Sequence, residues 1–165
     1  MGKLERYVEV LKMDKLTIEK TEDIEGLWDL FLLADPSREM VQKYLPFSDI
    51  YIAKRDDKVA GVLVLCKVSQ KIYEIKNIAV APDLQRKGIG YNLLLHAKSV
   101  LTDCKGYELR ICTGNTSTHQ ISLYKKAGFS IASIEVGYFI RNYPEPIYEN
   151  GSRCEDLVIL RQMIS

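Results

Sequence analysis

Residues 75–90 read IKNIAVAPDLQRKGIG, and the stretch from Gln85 to Gly90 has the residue types that bind a polyphosphate. Ahead of it Ile78 and Val80 recur with period two, as in a strand, and Pro82 ends the run. Behind it Leu93, Leu94, Ala97, Val100 and Leu101 form one helical stripe. A turn between a strand and a helix N-terminus gathers unpaired backbone N–H groups at the positive end of the helix dipole, where an anion is stabilised. Gly88 and Gly90 leave that backbone open to close approach, and Arg86 and Lys87 put positive charge at its rim. Two common phosphate sites are excluded by spacing. A dinucleotide fingerprint needs a third glycine, and a nucleoside triphosphate loop needs Gly-Lys-Ser/Thr where this chain has Gly88-Ile89-Gly90.

Gln85, Arg86, Lys87, Gly88 and Gly90, preceded by Ile78-Ala79-Val80, resemble residue for residue the pyrophosphate loop of the GNAT superfamily of N-acetyltransferases. Asn115 with Tyr124-Lys125-Lys126-Ala127-Gly128-Phe129 is similar to that family's second signature, and the resemblance runs from Leu16 to Met163. It implies an α/β fold, a three-layer α/β/α sandwich around a mixed, mostly antiparallel sheet. In that sheet parallel strands at 72–81 and 107–113 splay to admit the pantetheine arm of a coenzyme. It also implies direct acetyl transfer from acetyl-CoA to a primary amine, with no metal and no covalent enzyme intermediate.

The resemblance assigns roles to particular residues. The backbone of Gln85, Arg86, Lys87, Gly88, Ile89 and Gly90 would hold the pyrophosphate, with Lys126 as an added cation. The strand edge at Ile78, Ala79 and Val80 would pair with the pantetheine amides, and an N–H near Ile78 would meet the developing oxyanion. Tyr124 is the candidate acid for the departing thiolate, because a phenol titrates at about 10. Glu74 is the candidate base. By strand alternation it shares a face with Ile78 and Val80, and a partly desolvated carboxylate there would titrate high and act through one water. Glu74 also reads as the partner of a lysine, and Asn115 reads equally as a coenzyme ligand or a loop cap.

The rest of the composition narrows the class. At 165 residues the chain fits a single N-acetyltransferase domain, 1–165, with a core of its own. Its 23 basic and 22 acidic residues are nearly balanced, which argues against a nucleic acid or an anionic membrane as partner. Cys66, Cys104, Cys112 and Cys154 have no zinc-like spacing and no signal peptide ahead of them, so they read as reduced thiols of a cytoplasmic protein, with Cys66 and Cys112 as small core residues. The longest apolar run, Val59–Cys66, is too short to span a bilayer. His96 falls off the apolar stripe and reads as solvated, His119 reads as a surface residue or as one that approaches the cofactor from the start of its helix, and no His/Asp/Glu group suggests a metal.

Taken in order, residues 1–13 are mixed in character, and Lys15–Lys20 alternates as a strand. Thr21 is expected to cap a helix over 23–33, and Asp35-Pro36 to start a second one that Pro46 stops. In the resembling family these two helices wall the acceptor pocket, so Asp35 and Glu39 read either as substrate-facing groups or as a cap and a solvated charge. Strands follow at 50–54 and 59–68 around the hairpin Arg55-Asp56-Asp57-Lys58, then at 72–81. The helix 88–103, the strand 107–113 and a short helix capped by Thr116 or Ser117 come next, with Gly128 as its left-handed stop. The run 129–140 alternates as a strand whose parity changes near Ala132, which predicts a bulge. Residues 141–155 form a polar excursion, and 157–163 closes the sheet.

The acceptor is read from that excursion. Tyr138, Tyr143, Glu145, Tyr148 and Glu149 cluster there, and acidic and aromatic groups suit a small cationic amine, a polyamine or an aminosugar. They suit an ordinary solvated loop or a homodimer contact as well. A non-catalytic acyl-CoA sensor and an acetyltransferase of peptide amines are the alternatives. Tyr124 and Glu74 favour an enzyme, since a sensor has no use for a thiolate acid.

Overall fold

A computed structural model describes Gly2 and residues 15–164; the stretch 1–13, of mixed character in the sequence, lies outside the described residues apart from Gly2. The first elements are strand β1 (Leu16–Thr21), helix α1 (Trp28–Ala34) and helix α2 (Arg38–Tyr44). Strands β2 (Ser48–Arg55), β3 (Lys58–Lys67) and β4 (Ile72–Val80) follow, and then helix α3 (Ile89–Asp103). Strand β5 (Glu108–Gly114), helix α4 (Thr118–Lys126), strand β6 (Ser130–Glu135) and helix α5 (Tyr138–Asn142) lead to β7 (Ile147–Glu149), β8 (Ser152–Cys154) and β9 (Leu157–Met163). Seven strands form one mixed sheet in the order β1-β2-β3-β4-β5-β9-β6, and β7 and β8 pair separately. Among the described residues a mixed sheet and five helices make the expected α/β architecture.

The chain condenses into two compact units. The described residues up to Val64, with Asn77–His96, make the first; Leu65–Lys76 and the residues from Ala97 on make the second. In the first, Leu27, Phe31, Val41 and Leu45 pack on Ile50 and Ile52 of β2, Val62 and Val64 of β3, and Ala79 of β4. Each such burial removes roughly 1.5–3 kcal/mol worth of apolar surface from water. Helix α3 approaches β3 closely at Gly61, where a Cβ would lie 2.8 Å from the Ala79 carbonyl oxygen and 3.3 Å from Leu93. In the second unit β9 runs antiparallel to both β5 and β6, and Leu101, Leu109, Ile111 and Leu160 are fully buried.

Local chemistry moved several expected boundaries. Thr21 caps no helix: its hydroxyl accepts from the Asp23 N–H at 3.2 Å while Gly26 turns the chain at φ +78°, so α1 starts only at Trp28. Asp35 does not cap α2 either. It accepts from the Ser37 N–H at 3.1 Å, and Ser37 is the true cap, accepting from Met40 N at 3.2 Å. The Asp56-Asp57 hairpin stands as read, with both residues at positive φ. So does the bulge, which falls between Ile131 and Ser133. The strand after it ends at Glu135, however, because Gly137 at φ +72° turns the chain into α5 and its N–H donates to Asp156 at 2.9 Å. The polar excursion is also more ordered than expected, carrying the β7–β8 hairpin.

Candidate active site

The anion turn belongs to the first unit. After β4 a single 3-10 turn, Pro82–Leu84, leads into Gln85 and Arg86, and Arg86 takes the left-handed φ of +62°. Gly88 follows at φ +82°, and α3 begins at Ile89. The Asn92 N–H and side-chain amide both donate to the Gly88 carbonyl, at 3.0 and 2.8 Å, which fixes the first turn. The N–H groups ahead of Asn92 are those a helix leaves without an internal acceptor. Arg86, Lys87 and Gly88 are exposed. This donor set of free N–H groups, two cations and a glycine-opened backbone fits a diphosphate. The Gln85 side chain has an additional duty: its amide donates to the Val80 carbonyl at 3.0 Å and ties the turn back to the strand. Ile78 and Val80 are half-buried and Ala79 is buried, so β4 alternates between a buried odd face and a more open even one.

Asn77, which the sequence reading did not single out, is the buried polar residue of that odd face. Its amide donates to the Phe31 carbonyl at 2.9 Å and the Tyr44 hydroxyl at 3.0 Å, which moors α1 and α2 to the sheet. Burial raises the Tyr44 phenol well above its ordinary range. His96, expected in solvent, is half-buried with its ring edge-on to Tyr51 at 4.8 Å, and burial lowers its pKa.

The candidate acid and base both fall in the second unit, and Cys112 contacts the base. The Cys112 thiol donates to one Glu74 oxygen at 3.3 Å, and Lys76 Nζ contacts the other at 2.6 Å. Burial, then the Glu74 charge, push that thiol up to about 12, so it stays protonated and inert as a nucleophile. For Lys76 burial acts downward, but the hydrogen bond and charge of Glu74 outweigh it and hold the ammonium firmly. Cys66 and Cys112 are therefore half-buried rather than core residues, and Cys154 takes the interior position. Glu74 lies opposite Arg110 in the parallel β4–β5 ladder, and Arg110 Nε holds the buried Glu108 at 2.7 Å. The repeated spacing Glu74-x-Lys76 and Glu108-x-Arg110 was the sequence signal for this charge ladder. The ladder registers from Ile72–Glu108 to Ile75–Ile111, while β4 runs on to Val80 and β5 to Gly114.

Tyr124 is buried on α4, edge-on to Phe129, and its carbonyl accepts from Ala127 and Phe129. Burial, the Glu149 charge and Cys112 raise its phenol well above the ordinary range, so it is a proton carrier at any working pH. Asn115 serves the scaffold: its side-chain oxygen accepts from the N–H groups of Glu155 and Asp156, both at 3.1 Å. Lys126 is exposed in the last turn of α4. Glu149 meets the other end of that helix, accepting from the Ser117 hydroxyl at 2.5 Å. No group of His, Cys, Asp and Glu among the described residues could hold a metal ion.

Comparison with known proteins comes to the same chemistry. The family pattern of the acetyltransferase (GNAT) domain matches residues 46–131. An uncharacterized N-acetyltransferase of Bacillus subtilis (strain 168), YvbK, is 45% identical over 151 residues, 91% of this chain and 97% of that protein. A GNAT family acetyltransferase from Elizabethkingia anophelis, solved with acetyl-CoA bound, superposes with a TM-score of 0.87 at 42% identity, covering 91% of this chain and 99% of that one. The ribosomal protein bS18-alanine N-acetyltransferase of Salmonella typhimurium (strain LT2) is 28% identical over 161 residues, 93% of this chain and 99% of that protein.

Proposed function

This chain belongs to the GNAT family of acetyl-CoA-dependent N-acetyltransferases, and on that premise we propose that it acetylates a small cationic amine, a polyamine or an aminosugar. The observation that carries the coenzyme half of the reading is the turn after β4, where Arg86 and Gly88 adopt left-handed backbone angles immediately before the N-terminus of α3; the acceptor half rests on the acidic and aromatic residues between 138 and 149. Acetyl-CoA supplies the acyl group as a thioester; the residues of this chain bind it and move protons around it. In this reading the N–H groups from Gln85 to Gly90, with Arg86, Lys87 and Lys126, hold the diphosphate. Ile78, Ala79 and Val80 offer their backbone to the pantetheine arm, and Asn115 supports the loop after β5.

The residues then divide the proton traffic. An alkylamine must lose its proton before its nitrogen attacks, and Glu74 takes that proton through a water. As the C–N bond forms and the C–S bond breaks, a β4 N–H near Ile78 meets the oxygen that gains charge. Tyr124 gives its proton to the departing sulfur. Burial keeps that phenol protonated, which supports the role. The half-buried Glu74 carboxylate, paired with Lys76 and accepting from the Cys112 thiol, is the group this reading assigns as base.

One observation favours a second acceptor class: the likeness to the bS18-alanine enzyme makes a peptide N-terminus the alternative. A cytoplasmic location, a single domain and a homodimer belong to the proposal too. No described helix is long and apolar enough to cross a membrane, and β6 is an edge strand with Ile131 and Ile134 exposed. The test is release of free thiol from acetyl-CoA against polyamines, aminoglycosides and N-terminal peptides. Turnover with a small amine is expected, with Tyr124→Phe lowering kcat about 10²-fold or more at nearly unchanged coenzyme affinity. Glu74→Gln is expected to move the acidic limb of the rate profile. Turnover with peptides alone overturns the small-amine reading, and an unaltered kcat in Tyr124→Phe removes it as the acid.

A further inference from the structure

The second unit holds three glutamates that are buried or half-buried: Glu74, Glu108 and Glu149. Two of them have a cation in contact, Lys76 on Glu74 at 2.6 Å and Arg110 on Glu108 at 2.7 Å. Glu149 has none among the described residues; its partner is the neutral hydroxyl of Ser117. A carboxylate withdrawn from water without a counter-charge is costly, and a neutral hydroxyl donor offsets only part of that cost.

The setting is built rather than incidental. The β7–β8 hairpin is clasped onto the end of β5 and the loop ahead of α4 at three points. Glu149 accepts from Ser117, the Asn150 amide donates to the Thr116 carbonyl at 2.9 Å, and Cys154 packs on Gly114 so tightly that a Cβ there would collide with its sulfur. Ser117 and Thr116 are themselves buried. Ser117 stands seven residues before Tyr124, two helical turns along the same face of α4. Burial, and then the Glu149 charge, raise the Tyr124 phenol. The clasp therefore holds a glutamate with no cation in contact at the end of α4 two turns ahead of the candidate acid.

We propose that Glu149 is a specificity-determining residue: held by Ser117 on the β7–β8 hairpin, it reads a positive charge on the acceptor other than the reacting nitrogen. The inference rests on the small-cation reading above and deepens it. The attacking amine must be neutral, so a dication satisfies both needs, keeping one ammonium for Glu149 while the other nitrogen loses its proton. The arriving cation supplies the counter-charge that Glu149, alone of these three glutamates, lacks among the described residues. It binds in the charge-assisted manner of Lys76 on Glu74.

The test uses equilibrium binding to the full-length protein by calorimetry, with 1,4-diaminobutane and 1-aminobutane as probes. Wild type is expected to bind the diamine at least about tenfold more tightly than the monoamine, the worth of one charge-assisted hydrogen bond. Glu149→Gln keeps an acceptor for Ser117 but drops the charge, and is expected to erase that preference while leaving the monoamine within about twofold. Ser117→Ala, which frees the carboxylate, is expected to weaken it partially. Equal binding of the two probes by wild type, or a preference that survives in Glu149→Gln, overturns the proposal. Turnover is read separately. A protein that binds the diamine through Glu149 but releases no thiol leaves this inference standing and defeats the assignment of Tyr124 and Glu74.

Discussion

At the residue scale Arg86 is the telling position. It is exposed and carries φ +62°, a left-handed angle that costs a residue with a Cβ roughly 1–2 kcal/mol. A loop selected for stability alone would place glycine there; a loop that needs a guanidinium on a diphosphate keeps the strain. Arg86→Gly should therefore raise thermal stability by up to ~1 kcal/mol while weakening acetyl-CoA binding by about three- to tenfold. Calorimetric Kd and Tm measured on the same preparation would check this, and a fall in both would mean that Arg86 is structural. The residue types of this turn were legible from the sequence because local spacing alone makes an anion turn. A lysine partner for Glu74 was legible too, whereas its thiol partner and the partners of Gln85 and Asn115 were not. Val80, Glu155, Asp156 and Cys112 reach them through the turn, the loop and the ladder, which spacing along the chain does not encode.

At the element scale, signals contained within a few residues translated directly into structure. The Asp56-Asp57 hairpin formed where two turn residues separate two β-rich runs, both at positive φ. The parity change near Ala132 became a bulge in the β6–β9 register. Replacing Asp56-Asp57 by Asn-Gly, the pair best suited to that turn, should stabilise the protein by about 0.5–1 kcal/mol. A shift of the denaturant midpoint at constant slope would register it, and an unchanged or lower midpoint would mean the aspartates have a further role. Elements set by competition were misread. Thr21, Asp35 and Ser37 are all chemically able to cap, and which one does depends on Gly26 and on where α1 and α2 meet the sheet. The helix α5 replaced an expected strand because Asp156, far along the chain, holds the Gly137 N–H.

At the scale of the whole molecule, buried acids set the response to pH. Cys112 titrates at about 12 when folded against an ordinary thiol near 9, so the folded chain holds this proton more tightly than the unfolded one. Below pH 9 both states are protonated and stability is complete; between about 9 and 12 the unfolded chain deprotonates first and stability falls. Tyr44 and Tyr124, both raised, extend the fall in the same direction. Unfolding followed by Trp28 fluorescence and by circular dichroism should show a loss of a few kcal/mol on moving from pH 8 to 11. Cys112→Ser should flatten the first part of that loss, and a single domain predicts that the two probes coincide. No change with pH would contradict the burial of these groups. The sequence by itself determined the strand–turn–helix that presents an anion site and the order of the main elements, because both rest on periodicity and spacing within a few turns of chain; the acetyltransferase chemistry was implied by the resemblance of Gln85–Gly90 and Tyr124–Phe129 to the GNAT signatures. Tertiary structure alone decided that Arg110 and Cys112 stand beside Glu74, and that Glu149 is held by Ser117 with no cation in contact among the described residues. Those facts depend on strand register and on a hairpin folding back over more than thirty residues, and no local pattern specifies either.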